Sequence, residues 1–253
     1  MRIIEWETFL AQGLPLSKAY AAISVGVFDV VHRGHQALVD RITQTAKASP
    51  VIITFRQNHK NYTSLYPVDI CSFSQKTAIF EALGIAIMVV AELSDSFRRM
   101  SGPEFFRLLR EHGKMGFLAV GSNFRCGHHL DTDAPAIRQL NSREGIHTDI
   151  VETLTDDGTP ISSTRIRESI RQGRLTEAAA MLGRPYILDL RDASHDRKGS
   201  SCIYSIAPLG RVLPPPGEYQ VILQENKHRT EACIPIEKDL VQIPHPVEFI
   251  EFR

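Results

Sequence analysis

The sequence predicts an α/β protein, a parallel sheet with helices on both faces followed by a small β module, and three observations lead there. Short apolar runs without polar alternation recur through the first part of the chain, as strands covered on both faces require. Segments with helical spacing separate them. Past Leu190 the pattern changes to short strand-like runs broken by prolines.

Taken in order, Ala21 to Val27 is an apolar run that contains Gly26 and reads as the first strand. Pro50 to Phe55 and Ile85 to Val90 repeat the pattern, Phe117 to Val120 supplies a fourth strand, and Thr148 to Leu154 a fifth. Between them, His35 to Lys47, Ser74 to Leu83, Gly102 to His112 and Ala134 to Arg143 carry helical spacing, and Phe105, Phe106, Leu108 and Leu109 give the third its apolar face. Strand and helix therefore alternate, and ligands of such sheets bind at the carboxyl ends of the strands. Arg191 to Ser201 is polar and reads as a linker. Tyr219 to Leu223, Ala232 to Ile236 and Val247 to Phe252 then read as strands of a small β module, interrupted by Pro214-Pro215-Pro216-Gly217 and Pro244-His245-Pro246. The expected division is 1–186 for the α/β domain and 187–253 for linker and module.

Composition narrows the partners. At 253 residues, 43% hydrophobic and 23% charged, the chain is of ordinary globular type and long enough to bury a sizeable core. Lys plus Arg equals Asp plus Glu at 29 each, so no global positive field exists to hold nucleic acid or an anionic membrane. Bound anions must be held locally. Met1 to Glu7 does not read as a secretory signal, and no apolar run approaches a membrane span. Cys71, Cys126, Cys202 and Cys233 lie far apart without paired spacing, so neither a disulfide framework nor a zinc site is expected. The expectation is a cytoplasmic monomer with small-molecule partners.

Two motifs carry chemistry. Gly26-Val27-Phe28-Asp29-Val30-Val31-His32-Arg33-Gly34-His35 leaves an expected strand and opens an expected helix, where unpaired backbone N–H groups and the helix dipole favour an anion. His32 and His35, three apart, can face one phosphate, and Gly34 permits close backbone approach. For an arbitrary pair of histidines, satisfied surface or core positions are the ordinary reading, and zinc lacks a third nearby ligand. The second motif is Ile161-Ser162-Ser163-Thr164-Arg165-Ile166-Arg167, after the turn Asp156-Asp157-Gly158-Thr159-Pro160. Alone it is an N-cap. Its hydroxyls, helix start, Arg165 and Arg167 also suit a second polyphosphate cradle. The adjacent His128-His129 are expected to diverge.

In this order and separation the motifs resemble the HxGH and ISSTxIR signatures of the nucleotidylyltransferase superfamily. The strand Val51 to Phe55, the segment Val120-Gly121-Ser122-Asn123-Phe124-Arg125-Cys126-Gly127 and the run Ala178 to Tyr186 extend the resemblance to the FMN adenylyltransferase module of the prokaryotic bifunctional riboflavin kinase/FAD synthetase family. The resemblance implies a Rossmann-like nucleotidylyltransferase fold that moves AMP from ATP to FMN with Mg²⁺, giving FAD and pyrophosphate. It implies catalytic roles for His32, His35 and Arg165, an ATP site of Gly26, Phe28, Asp29, Gly34, Ser162, Ser163, Thr164 and Arg167, and a flavin site of Phe55, Asn123 and Phe124. No protein metal ligands are expected. Val30 stands where the family usually has Gly, Cys126 where an aromatic is frequent, and Phe55-Arg56-Gln57-Asn58-His59 where Phe-x-Pro-His-Pro is usual. The C-terminal module is shorter than the family's kinase barrel and lacks its Pro-Thr-Ala-Asn segment, so no riboflavin kinase activity is expected. Nucleotidyl transfer to another phosphorylated metabolite and non-catalytic nucleotide or flavin binding are the alternatives.

Overall fold

The structure, a computed structural model, describes residues 1–56, 68–199 and 201–253. The described chain divides into two compact units, one of residues 1–28, 34–56 and 77–154, the other of 29–33, 68–76 and 155–253.

The first unit runs β1 (Arg2–Glu5), α1 (Trp6–Gln12), β2 (Tyr20–Val25), α2 (Arg33–Thr43), β3 (Ala48–Phe55), α3 (Phe73–Ala82), β4 (Ile87–Ala91), α4 (Asp95–Arg99), α5 (Gly102–Glu111), β5 (Met115–Gly121), β6 (Arg125–Cys126), β7 (Thr132–Asp133), α6 (Ala134–Ser142) and β8 (His147–Val151), with the first residues of α2 and α3 belonging to the other unit. Six strands form one sheet in the order β1-β4-β3-β2-β5-β8, every pairing parallel. Alternate residues Ile23, Val51, Ile53, Val89, Leu118 and Val120 pack with Trp6, Phe9, Phe105, Phe106 and Leu109. The intervening Ala22, Ile52, Met88, Val90 and Ala119 are buried as well. Burial on both faces is the reason these strands read as unbroken apolar runs.

Helix starts follow local chemistry. Ser101 Oγ accepts from the Glu104 amide at the head of α5, Asp133 Oδ1 accepts from the Ala136 amide at the head of α6, and a proline occupies the first turn of each. The sixth strand, β1, was not expected: Arg2-Ile3-Ile4-Glu5 is short and largely exposed at the sheet edge, so no buried run marks it. His128 and His129 do not diverge either. With His129 at φ 55°, their ring centroids lie 3.9 Å apart.

The second unit holds β9 (Thr155–Asp156), β10 (Thr159–Pro160), α7 (Ser163–Arg171), α8 (Leu175–Leu182), β11 (Ile187–Asp189), β12 (His195–Lys198), β13 (Ser201–Ser205), β14 (Gly217–Glu225), β15 (His228–Glu237), β16 (Leu240–Ile243) and β17 (Phe249–Phe252). The last seven form an antiparallel sheet, β11-β17-β14-β15-β16-β13-β12. Asp157 and Gly158, at φ 49° and 71°, turn the β9–β10 hairpin as an Asp-Gly pair favours. Ile166, Ile170, Met181 and Leu182 share one core with Leu188, Val221, Ile250 and Phe252. One feature differs from the expectations. The expected linker contains β12, an edge strand whose His195, Asp196 and Arg197 are exposed and therefore send no apolar signal.

Candidate active site

In the first unit, β3, β2 and β5 are neighbours, and their carboxyl ends carry the expected residues. β2 gives way to Gly26, whose amide donates to Ile53 O at 3.1 Å, and Thr54 Oγ1 donates to Val27 O at 3.0 Å. A Cβ at Gly26 would lie 3.1 Å from the Phe28 ring, so the glycine makes room for that ring. Phe28 is buried at φ 49° and meets the rings of His35 and Phe80 edge-on, centroids 5.0 and 5.4 Å away. Phe55 ends β3, half-buried and edge-on to Phe97 at 5.6 Å. After β5, Asn123 is exposed and Phe124 half-buried against the core. Gly34 and His35 lie in the first turn of α2, both half-buried. The departures at Gln57, Asn58 and His59 fall outside the described residues.

The second unit holds Asp29, His32 and the whole Ser162–Arg167 motif. Ser162 is the N-cap of α7, its Oγ accepting from the Arg165 amide at 3.2 Å, while Ser163 is half-buried and Thr164 exposed in the first turn. Arg167 is turned inward. It is 3% exposed, donates from Nη2 to Asp29 Oδ2 at 2.5 Å and from Nε to Val68 O at 3.1 Å. One buried ion pair thus joins the two motifs. Burial raises the pKa of Asp29, with the Arg167 guanidinium as the main influence against it, and Lys76, buried nearby, has its pKa lowered by burial. Arg165 faces the β9–β10 hairpin: Nη1 donates to Asp156 O and Thr159 O at 3.1 and 3.0 Å, and Nη2 to Asp156 Oδ2 and Glu177 Oε1 at 3.3 and 3.4 Å. Four of the five N–H directions of a guanidinium are therefore directed at protein.

His32 is 6% exposed, and burial, followed by the positive Arg184, lowers its pKa to about 4. At neutral pH it is an uncharged imidazole, a donor at one nitrogen and an acceptor at the other. Arg184 escaped the sequence reading. Its guanidinium donates to Val30 O, to Val31 O at 3.0 Å and to Leu182 O at 3.2 Å, 153 residues separating it from Val31. The Gly183-Arg184-Pro185 run was legible as a junction, but no local pattern signals a contact that distant.

The chain matches the family model described as FAD synthetase over residues 15–165. Among curated proteins it is 26% identical over 208 residues to the bifunctional riboflavin kinase/FMN adenylyltransferase of Escherichia coli (strain K12), covering 79% of this chain and 66% of that protein, just under two thirds of its length. It is 25% identical over 173 residues to the FAD synthetase of Listeria monocytogenes, covering 66% of this chain and 70% of that one. The crystal structure titled Macrolide-efflux Protein from Streptococcus pneumoniae superposes with a TM-score of 0.84 at 18% identity, over 100% of this chain and 89% of that one, a likeness of fold alone.

Proposed function

The chain belongs to the FAD synthetase family, and from that premise we propose that it transfers AMP from ATP to FMN. A phosphate oxygen of FMN attacks the α-phosphorus of ATP as the bond to the β-phosphate oxygen breaks, giving FAD and pyrophosphate without a covalent enzyme intermediate. Catalysis of this kind is positioning and stabilisation of developing charge. The observation that supports the reading is the buried Asp29–Arg167 pair, which ties the loop before His32 to α7. His32 would donate to a phosphate oxygen from its neutral imidazole, Ser163 and Thr164 would donate from the head of α7, and Arg165 and Arg167 would act mainly by bracing these groups. Within the first unit, the family resemblance assigns Gly34 and His35, in the first turn of α2, to phosphate and Phe55, Asn123 and Phe124 to the flavin. Among the described residues there is no group of three or more His, Cys, Asp or Glu that could hold a metal ion. A magnesium ion would arrive with ATP, held by its phosphates and water. No helix of the described residues is long and apolar enough to cross a membrane.

The test is incubation of the purified chain with FMN, MgATP and pyrophosphatase. FAD is expected to appear, and absence of turnover with demonstrated ATP binding would defeat the proposal. Riboflavin offered in place of FMN should yield neither FMN nor FAD, because Pro208-Leu209-Gly210 occupies the region of the family's kinase segment without Pro-Thr-Ala-Asn. The altered Phe55 to His59 segment favours one second reading, transfer to a different phosphorylated acceptor, which an acceptor screen with the same ATP would reveal.

A further inference from the structure

We propose that Arg184 is the positioning residue of the phosphate loop, setting the backbone that carries His32. The proposal deepens the reading above and rests on it for the identity of the ligand.

Val31 is the first support. It is fully buried and sits at φ 48°, a left-handed conformation that a β-branched residue adopts at a cost and keeps only where its surroundings over-determine it. The surroundings do so. Three successive carbonyls of the loop accept from side chains of the same unit: Asp29 O from Cys71 Sγ, Val30 O from Arg184 Nη2 and Val31 O from Arg184 Nη1. In a trans peptide the N–H of the next residue points opposite to the C=O, and no cis bond interrupts the chain. Pinning these carbonyls therefore fixes the peptide planes of Val30, Val31 and His32, with their amides turned away from Arg184 and Cys71.

Val30 adds a second restraint. At the position where the family usually carries Gly, its side chain is 2% exposed and packs in the core that holds Ile70, Cys71, Met181, Leu182 and Tyr186. The loop is thus held by its carbonyls and by the Val30 side chain, in addition to the Asp29–Arg167 pair. Arg184 itself follows α8, donates to that helix's last carbonyl at Leu182, and among the described residues pairs with no carboxylate. Its charge is left to act on the loop and on His32 beside it, which is the origin of part of the histidine's lowered pKa. A lysine would keep the charge but could not fork across two successive carbonyls.

The experiment uses the full chain with Arg184→Met, Arg184→Lys and, as a milder probe, Cys71→Ala. Hydrogen exchange is read on the peptide spanning Asp29 to His35 and on β14–β15, and the His32 titration by NMR. Both arginine variants should speed exchange in the loop by about ten-fold or more, as loss of charge-assisted bonds does, and leave the β14–β15 hairpin unchanged. The His32 pKa should rise in Arg184→Met and stay near the native value in Arg184→Lys. With FMN and MgATP, kcat/KM should fall about a hundred-fold in both, the scale of a misplacement of the reacting groups. Native loop exchange in the arginine variants, or in Arg184→Lys alone should Arg184→Met not fold, overturns the proposal. If the wild-type chain makes no FAD, the function above fails, while exchange and titration still decide the role of Arg184.

Discussion

His32 is an imidazole that folding keeps neutral, and this has a sign in the pH dependence of stability. Its pKa is about 4 in the folded chain against 6.5 when unperturbed, so below 6.5 the unfolded state takes up a proton that the folded state refuses. The resulting stability is fully present above pH 6.5 and is lost as pH falls toward 4. Between pH 6.5 and 5 the wild type should lose about 2 kcal/mol more than His32→Asn in urea titrations; parallel losses would refute the burial of a neutral ring. The Asp29–Arg167 pair belongs to the same scale. Arg167→Ala strands a carboxylate that is 4% exposed and should destabilise the chain by about 3–5 kcal/mol, whereas the double variant Asp29→Ala, Arg167→Ala should recover a large part of that loss. Chemical denaturation of the four-member cycle measures the coupling, and additive losses would contradict it.

At the scale of the element, α7 assigns different tasks to successive hydroxyls. Ser162 Oγ accepts from the Arg165 amide and caps the helix, while Ser163 and Thr164 lie in its first turn. Ser162→Ala should therefore cost about 1 kcal/mol in thermal or urea unfolding, and Ser163→Ala should leave stability within about 0.5 kcal/mol while lowering kcat/KM for ATP. An unstable Ser163→Ala would transfer the cap to the wrong residue. Elements of this kind were legible because their causes are local. α5 announces itself by its helical spacing and the Phe105, Phe106, Leu109 face, and β3 by its apolar run. The edge strands β1 and β12 were not legible, since an exposed edge needs no apolar run and takes its partner from another strand.

At the scale of the molecule, the second unit is assembled from three stretches of chain, and its core needs all of them. Val30 and Ile70 pack with α7, α8 and the antiparallel sheet, so a fragment ending at 186 would leave Ile166, Ile170, Met181 and Leu182 without the strands that cover them. Residues 1–186 expressed alone should bind a hydrophobic dye and lose amide protection over Asp29 to Arg33; a fragment with native protection there would show the sheet to be dispensable. The family and the fold class were readable from sequence: the two histidines at a strand-to-helix turn, the hydroxyls before a second helix and the alternation of strand and helix all depend on neighbours within a dozen residues, where period and capping operate. The tertiary structure alone decided that Arg167 faces Asp29 across 138 residues, that Arg184 holds Val31 across 153, and that Val30 belongs to the core of the C-terminal sheet. Those pairings follow from packing and from the need to satisfy buried carbonyls and charges, which no local pattern encodes.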